Sequence, residues 1–334
     1  MTIRIGCLGA AKIAPNALVK PARRVDGVEV TAIAARDVDR ARAFAAKHGI
    51  PNVHATYDDV VEDPDVDAVY IPLPNGLHAH WMRTALEHGK HVLCEKPFTS
   101  NAAEAEAIRH LADEHHPDLV VMEAFHWRYH PLAHRMVDIV QRGELGEVRH
   151  LEASFCFPLF PRNDIRWQLD LAGGALMDAG CYAIHMVRHM AGVGTGTEGE
   201  PTVTHAEAKL RSPGVDRWIR ADLRWPDGRT GRITASMWSA DVLRLAARAT
   251  GDRGTMRVFN PLAPHLFNRL SVTGRRAERV KGDSTYTYQL RAFADAVTKG
   301  TPTCTPPGDS VANMRVVDAV YRAAGLEPRS TADA

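Results

Sequence analysis

The chain has no excess charge of either sign, no closely spaced cysteine pair and no long apolar run. Lys and Arg number 41 against 40 Asp and Glu in 334 residues, a formal charge of +1. Without a basic surplus to neutralise phosphates, a nucleic-acid partner is not expected. The five cysteines, Cys7, Cys94, Cys156, Cys181 and Cys304, are odd in number and scattered. That argues against a disulfide framework and a zinc ribbon, and fits a reducing compartment. No stretch approaches the ~18 apolar residues of a membrane span. The first apolar run is too short for a signal-peptide core. A soluble, cytoplasmic protein with no membrane partner is expected. With 45% hydrophobic and 24% charged residues, disorder and collagen-like repeats are excluded as well.

At roughly 150 residues per domain the length suggests two domains. The first third alternates short β-branched runs (residues 3–8, 28–34, 66–71, 91–94 and 119–122) with Ala-rich helical stretches such as 39–48 and 101–115. Nearly continuous apolar strands joined by helices indicate a parallel, doubly wound sheet covered on both faces. Beyond about residue 145, strands over 148–157, 202–210, 218–225, 229–238, 242–250 and 254–260 follow without helices between most of them. They predict an open, mostly antiparallel sheet. Helices are expected over 174–190, 288–299 and 310–324, and a loop over 192–200. The expected units are 1–124, a nucleotide-binding Rossmann domain, and 125–334, a substrate-binding and oligomerisation α+β domain whose last helices pack back toward the first.

The first strand ends in Gly6-Cys7-Leu8-Gly9-Ala10-Ala11-Lys12-Ile13-Ala14. A glycine turn there allows backbone N–H groups at the helix start to face a pyrophosphate, which makes Gly9, Ala11, Lys12 and Ile13 cofactor candidates. Ala11 and Ala14 replace the later glycines of G-x-G-x-x-G, so the motif alone is weak. At the end of the second strand, where NAD sites carry an acid, stand Ala35 and Arg36. Ala35 cannot bond a ribose, whereas a guanidinium suits a 2′-phosphate, so the reading favours NADP. NAD stays open, because a one-residue slip would make Asp37 the ribose ligand. Arg36 also reads as a solvated helix-start charge, and Asp37 as an N-cap.

Farther on, a buried strand ends in Glu95-Lys96-Pro97, placing a lysine at the carboxyl edge of the sheet where ligands bind. Asp178, Tyr182 and His185 recur at helical spacing, i, i+4 and i+7, among apolar residues, which suggests one wall of a site. The bland reading is a part-buried helix whose Tyr and His satisfy each other. His126, His130 and His134 share a four-residue spacing, but Pro131 biases His130 away from helix. No H-E-x-x-H register is present, so no metal site is expected.

Together the Gly-x-x-Gly turn, Pro74-Asn75-x-x-His78, the run Gly89 to Pro97, Asp178-x-Gly180-x-Tyr182 and the closing Tyr288 and Asp318 segments resemble the glucose–fructose oxidoreductase / inositol dehydrogenase (Gfo/Idh/MocA) family. The likeness covers nearly the whole chain and is nearest in flavour to the trans-dihydrodiol dehydrogenase and sugar-ketoreductase branches. It implies a Rossmann domain plus an open α/β domain, and nicotinamide redox at a carbinol carbon of a sugar, polyol, cyclitol or diol. It further implies a cofactor lined by Leu73, Pro74, Asn75, His78, Glu95, Lys96, Arg166 and Trp167, and a substrate cleft with His126 and Arg128. Many relatives carry His where Tyr182 stands. The resemblance therefore suggests Tyr182 as acid/base with Lys96 as its cationic helper, whose ammonium would favour phenolate. Asp178 would orient Lys96 or bind a substrate hydroxyl; His185 has no settled role.

Relatives are dimers or tetramers, and an open sheet with an apolar outer face would pair into a homodimer or homotetramer. Two other functions fit the first domain: a non-catalytic nucleotide sensor and an NAD-dependent glycosidase-type relative. Lys96, Asp178 and Tyr182 count against the sensor. The helix motif and sparse glycine loop count against the glycosidase.

Overall fold

The computed structural model describes residues 2–160, 163–192 and 199–330. Most of the loop expected over 192–200 lies outside the described residues. Six parallel strands form the first sheet: β1 (Ile3–Leu8), β2 (Val28–Ala34), β3 (Asn52–Val53), β4 (Ala68–Ile71), β5 (His91–Cys94) and β6 (Val121–Glu123). Their order, β3-β2-β1-β4-β5-β6, reverses at β1, so a crevice opens beyond the carboxyl ends of β1 and β4. Every residue of β4 is buried, because helices cover both faces of the sheet. One face packs Ile3, Ile5 and Cys7 against Leu290, Phe293 and Ala294 of the distant helix Thr285–Lys299. On the other, a Cβ on Gly6 would stand 2.4 Å from Val60, so the missing side chain lets the helix Tyr57–Glu62 lie close. β3 is too short to show any periodicity in the sequence.

The second sheet holds β7 (Val148–Cys156), β8 (Thr202–Ser212), β9 (Val215–Arg224), β10 (Thr230–Ser236), β11 (Arg244–Gly251), β12 (Thr255–Phe259) and β13 (Arg269–Val272). Its order is β13-β12-β11-β7-β10-β9-β8, antiparallel except for the β7–β10 pair. β13 has no counterpart in the sequence reading. The inner face buries Leu151, Phe155, Ile219, Ile233 and Ala249 against the helices Cys181–Met190 and Pro307–Ala323. The latter also packs along the helix Ala102–His110, so the chain's end spans both halves.

The outer face corrects an expectation. It is mixed rather than apolar: Glu152 pairs with Arg248, Asp222 with Arg232, and Glu207 with Arg220, with Ser154 and Thr234 between them, while Trp218, under Lys209, and the exposed Phe259 lie on the same face. The alternation of these strands places apolar residues inward, where the helices cover them. Among the described residues no helix is long and apolar enough to cross a membrane.

Candidate active site

At the crevice, Gly9 adopts φ +116°, which a side chain would resist, and a Cβ there would stand 3.2 Å from Leu73. Its N–H donates to the Ala34 carbonyl at 2.8 Å, holding the turn against the end of β2. Ala11 is half-buried, and Lys12 and Ile13 project outward. Asp37 caps the helix Val38–His48, its Oδ1 accepting from the N–H groups of Asp39 (3.0 Å) and Arg40 (3.1 Å). The neighbouring Arg36 side chain is exposed and makes no hydrogen bond or ion pair among the described residues. Ala35 is buried. Arg40, absent from the sequence reading, donates to the Ala10 carbonyl at 2.7 Å and so braces the glycine turn. Its signal was its position in the first turn of that helix, one turn after Arg36.

Lys96 follows β5 and reaches the start of the helical segment that bears the conspicuous acids and phenol. Its Nζ donates to Asp178 Oδ1 and to the Asp178 carbonyl, both at 3.0 Å. The same ammonium lies 5.1 Å from the centre of the Tyr182 ring. Burial opposes the Lys96 charge, but Asp178 above all outweighs it and raises its pKa. Burial likewise opposes the Asp178 carboxylate, which Lys96 and Arg166 nonetheless hold below the usual range. Arg166 sits 3.5 Å from Asp178 Oδ2 and is gripped from behind by Asp164, at 2.8 and 3.0 Å. Asp178 therefore spends its charge on two cations rather than waiting as a free base.

Tyr182 is 7% exposed, and its hydroxyl makes no hydrogen bond among the described residues. Burial pushes this phenol well above its ordinary range, and Tyr286, Glu95 and Asp178 act in the same direction. This corrects the expected phenolate: the charge of Lys96 is already met by Asp178, so the phenol keeps its proton. Phe125 presses edge-on to the Tyr182 ring at 5.3 Å. His126 stands 5.8 Å from Tyr182 and 4.2 Å from Tyr286, and its Nδ1 bonds Thr285 Oγ1 at 2.9 Å. Burial, helped by Lys96, lowers its pKa to about 3, so the imidazole is neutral. Thr285 and Tyr286 come from the far end of the chain, and no local signal in the sequence pointed to them. Glu95, also buried, accepts from Tyr70 at 2.8 Å.

Other candidates lie apart from this cluster. His185 turns to Asp309 on the Pro307–Ala323 helix, at 2.8 Å, and stacks flat on Phe125 at 4.0 Å. Tyr182 and His185 share the regular helix Cys181–Met190, but Phe125 lies against both rings and Asp309 holds the imidazole on the interior side. Arg128 is half-buried, and burial lowers its pKa against the raising effect of Cys304, Asp309 and Tyr129. Trp167 is buried in a small cluster with Leu159, Val215 and Met237, under the Arg211 guanidinium at 4.5 Å. His78 is fully buried, its two ring nitrogens on the carbonyls of Pro97 (2.7 Å) and Leu73 (2.9 Å). It thereby ties the Leu73-Pro74 loop to the Lys96 segment. Asn75 donates to the Ala172 carbonyl at 3.0 Å, linking the two halves. His130 caps its own helix through Leu132 N, and among the described residues no group of three metal-ligating side chains converges.

Residues 3–123 match the model described as "Oxidoreductase family, NAD-binding Rossmann fold", and residues 133–257 match the "GFO/IDH/MocA C-terminal domain". The chain belongs to this Gfo/Idh/MocA family of oxidoreductases. It is 36% identical to D-xylose 1-dehydrogenase (NADP(+)) 2 of Haloferax volcanii over 323 residues, 96% of each chain. It is also 36% identical to dTDP-3,4-didehydro-2,6-dideoxy-alpha-D-glucose 3-reductase of Actinomadura kijaniata, over 95% of this chain and 94% of that one. The solved structure of the 3-ketoreductase KijD10 from Actinomadura kijaniata, in complex with NADP and TDP-benzene, superposes with a TM-score of 0.86 at 32% identity. It covers 96% of this chain and 98% of that chain. The protein is an enzyme of the dehydrogenase and reductase class, with a nicotinamide-dinucleotide domain at its N-terminus.

Proposed function

We propose that the enzyme is NADP-dependent and interconverts a secondary alcohol and a ketone on a sugar, cyclitol or vicinal diol, with Tyr182 as the acid/base. The observation that carries this reading is a protonated, unpartnered phenol beside an ammonium that Asp178 and Arg166 hold in place. The glycine turn, with the unpaired Arg36 beyond β2, fits a dinucleotide carrying a 2′-phosphate, and Asp37 is already committed to its helix. When bound, the dihydronicotinamide supplies a hydride to the carbonyl carbon. The chain's own residues do the rest. Tyr182 gives its proton to the carbonyl oxygen, and Lys96 stabilises the negative charge that develops there. His126 and Tyr286 line the sugar side with neutral polar groups, and aromatic faces suit the apolar face of a pyranose.

The names of the relatives, a xylose dehydrogenase and a dTDP-keto-sugar reductase, support a sugar substrate. Within this reading the chain divides near 124/125 into a nucleotide-binding and a substrate-binding unit. A homo-oligomer would form across the open sheet through a face that mixes ion pairs with Trp218 and Phe259. Five free cysteines fit a reducing, cytoplasmic setting. Steady-state assays with NADPH and a panel of keto sugars test the function. Turnover with one of them is expected, and tight NADPH binding without any turnover would instead favour a sensor. Light scattering tests the assembly, for which a mass near 36.7 kDa would be a monomer's.

A further inference from the structure

The segment after the helix Pro307–Ala323 does not trail off into solvent. Arg329 is 3% exposed and runs under the entry of the catalytic helix. Its Nη2 donates to Asp216 Oδ1 at 2.7 Å and its Nε to the Gly173 carbonyl at 2.8 Å. The guanidinium lies 4.1 Å over the Tyr321 ring, whose hydroxyl donates to the same Asp216 oxygen at 3.0 Å. The other oxygen, Asp216 Oδ2, accepts from Leu176 N–H at 2.7 Å, and Leu176 opens the widened turn that carries Asp178. Gly174 leaves no slack here: at φ +136°, a Cβ on it would stand 2.1 Å from Asp216 and 2.7 Å from Arg329.

The backbone of Arg329 faces the other half of the molecule. Its carbonyl accepts from Asn101 Nδ2 at 2.9 Å, and Asn101 caps the helix Ala102–His110 beside the first sheet. A single residue near the chain's end is thus bonded to the nucleotide-binding half, to β9 and to the Gly173 carbonyl, and through Asp216 it reaches the Leu176 N–H that opens the turn bearing Asp178. A buried ion pair adds little net stability, since desolvation cancels most of its attraction. What this one does supply is geometry, because both oxygens and both donor nitrogens are committed in fixed directions.

We infer that Arg329 and Asp216 are positioning residues for the reaction, locking the entry of the catalytic helix so that Asp178 holds Lys96 beside Tyr182. The kinetic part of this inference rests on the function proposed above. In the full-length enzyme, Arg329→Gln should lower kcat by about 100-fold, the scale of a misplacement near one ångström. NADPH affinity should fall by much less than kcat, because Arg329 bonds Gly173 and Asp216 rather than the glycine turn or Arg36. Arg329→Lys should recover part of the loss, since an ammonium can pair with Asp216 but cannot also reach the Gly173 carbonyl. Hydrogen exchange should quicken over residues 174–180 and stay unchanged in β1, β4 and β5. Wild-type kcat in Arg329→Gln would overturn the inference. So would equal losses in Lys and Gln variants accompanied by weaker NADPH binding and exchange that rises everywhere. If the wild type turns over no substrate, the functional reading fails. Exchange still judges the strap in that case: selective loosening of 174–180 supports it, and unchanged exchange there overturns it.

Discussion

Two polar clusters hang from one short helical segment, and they differ in where they leave a group without a partner. Toward the crevice, Lys96 and Asp178 satisfy each other, but the Tyr182 hydroxyl beside them has no partner. One turn later, His185 meets Asp309, and Arg188 meets both Asp309 and Glu200, all within the packed interior. Both clusters contain charge, burial and an aromatic neighbour, and both perturb the titration of their members. Perturbed titration alone therefore does not mark the reactive centre. The mark is an unspent hydrogen-bonding group beside a held charge where the crevice opens: Tyr182 keeps some exposure there, whereas His185 Nδ1, also without a partner among the described residues, is sealed in the interior. The same contrast separates Arg36, unpaired, from Asp37, whose carboxylate is committed to a helix N-terminus.

Removing the unspent group should give the largest effect. Tyr182→Phe should lower kcat for NADPH-linked reduction by ~10²–10⁴-fold with the fold intact by circular dichroism. Lys96→Met should be at least as severe, and the double variant hardly worse, because the two act as a unit. Near-full turnover in Tyr182→Phe would erase the distinction between the clusters. The interior cluster should respond in stability instead. His185→Ala should cost roughly 2–4 kcal/mol in denaturant unfolding, from a lost buried hydrogen-bond partner and the cavity against Phe125. Turnover of the folded fraction should fall by less than about tenfold, well short of a lost general acid.

At the other end of the crevice, Arg36→Ala should weaken NADPH binding by about 10–100-fold, the worth of a charge-assisted hydrogen bond or two. NADH binding should hardly change. A fluorescence titration in which NADH binds the wild type more tightly than NADPH would shift the role to Asp37. The smallest effects are in pH. A phenol held above its ordinary range keeps its proton through neutrality. Reduction should thus be flat there and fall only at alkaline pH, while alcohol oxidation climbs throughout.

The interior cluster should show itself at acid pH. Burial lowers the pKa of His185, and its partners His185 and Arg188 hold the Asp309 carboxyl far below the usual range, against burial. Both groups bind protons more readily when unfolded. Their stabilisation is complete above about pH 6.5, where an unfolded histidine is neutral, and drains away as pH falls below it. Thermal unfolding of Asp309→Asn should lose the part of the acid limb below about pH 4, where an unfolded aspartate takes up its proton.

The parallel sheet was legible because each strand is a local run of apolar residues and each crossover a local helix. The lysine at the end of β5 and the guanidinium after β2 were legible for a related reason: sheet edges and strand ends are defined by short segments. The outer face of the second sheet was misread as apolar. Alternation in a strand tells that two faces differ, but not which of them the helices cover. Helical spacing groups His185 with Tyr182, and only the packing of Phe125 and of Asp309, 124 residues on, assigns the imidazole to the interior.

Sequence alone thus determined the secondary elements, the class of cofactor domain and the residue types available for catalysis, since these depend on neighbours within a few positions. Tertiary structure decided which of those residues are spent. Asp178 is committed to Lys96 across 82 residues, His126 to Thr285 across 159, and Arg329 to Asp216 across 113. Contacts over such separations are set by how whole layers pack, and packing decides which polar groups lose water and find a partner. The one left without a partner in the crevice, the Tyr182 hydroxyl, is left so by that packing and by nothing in its own helix.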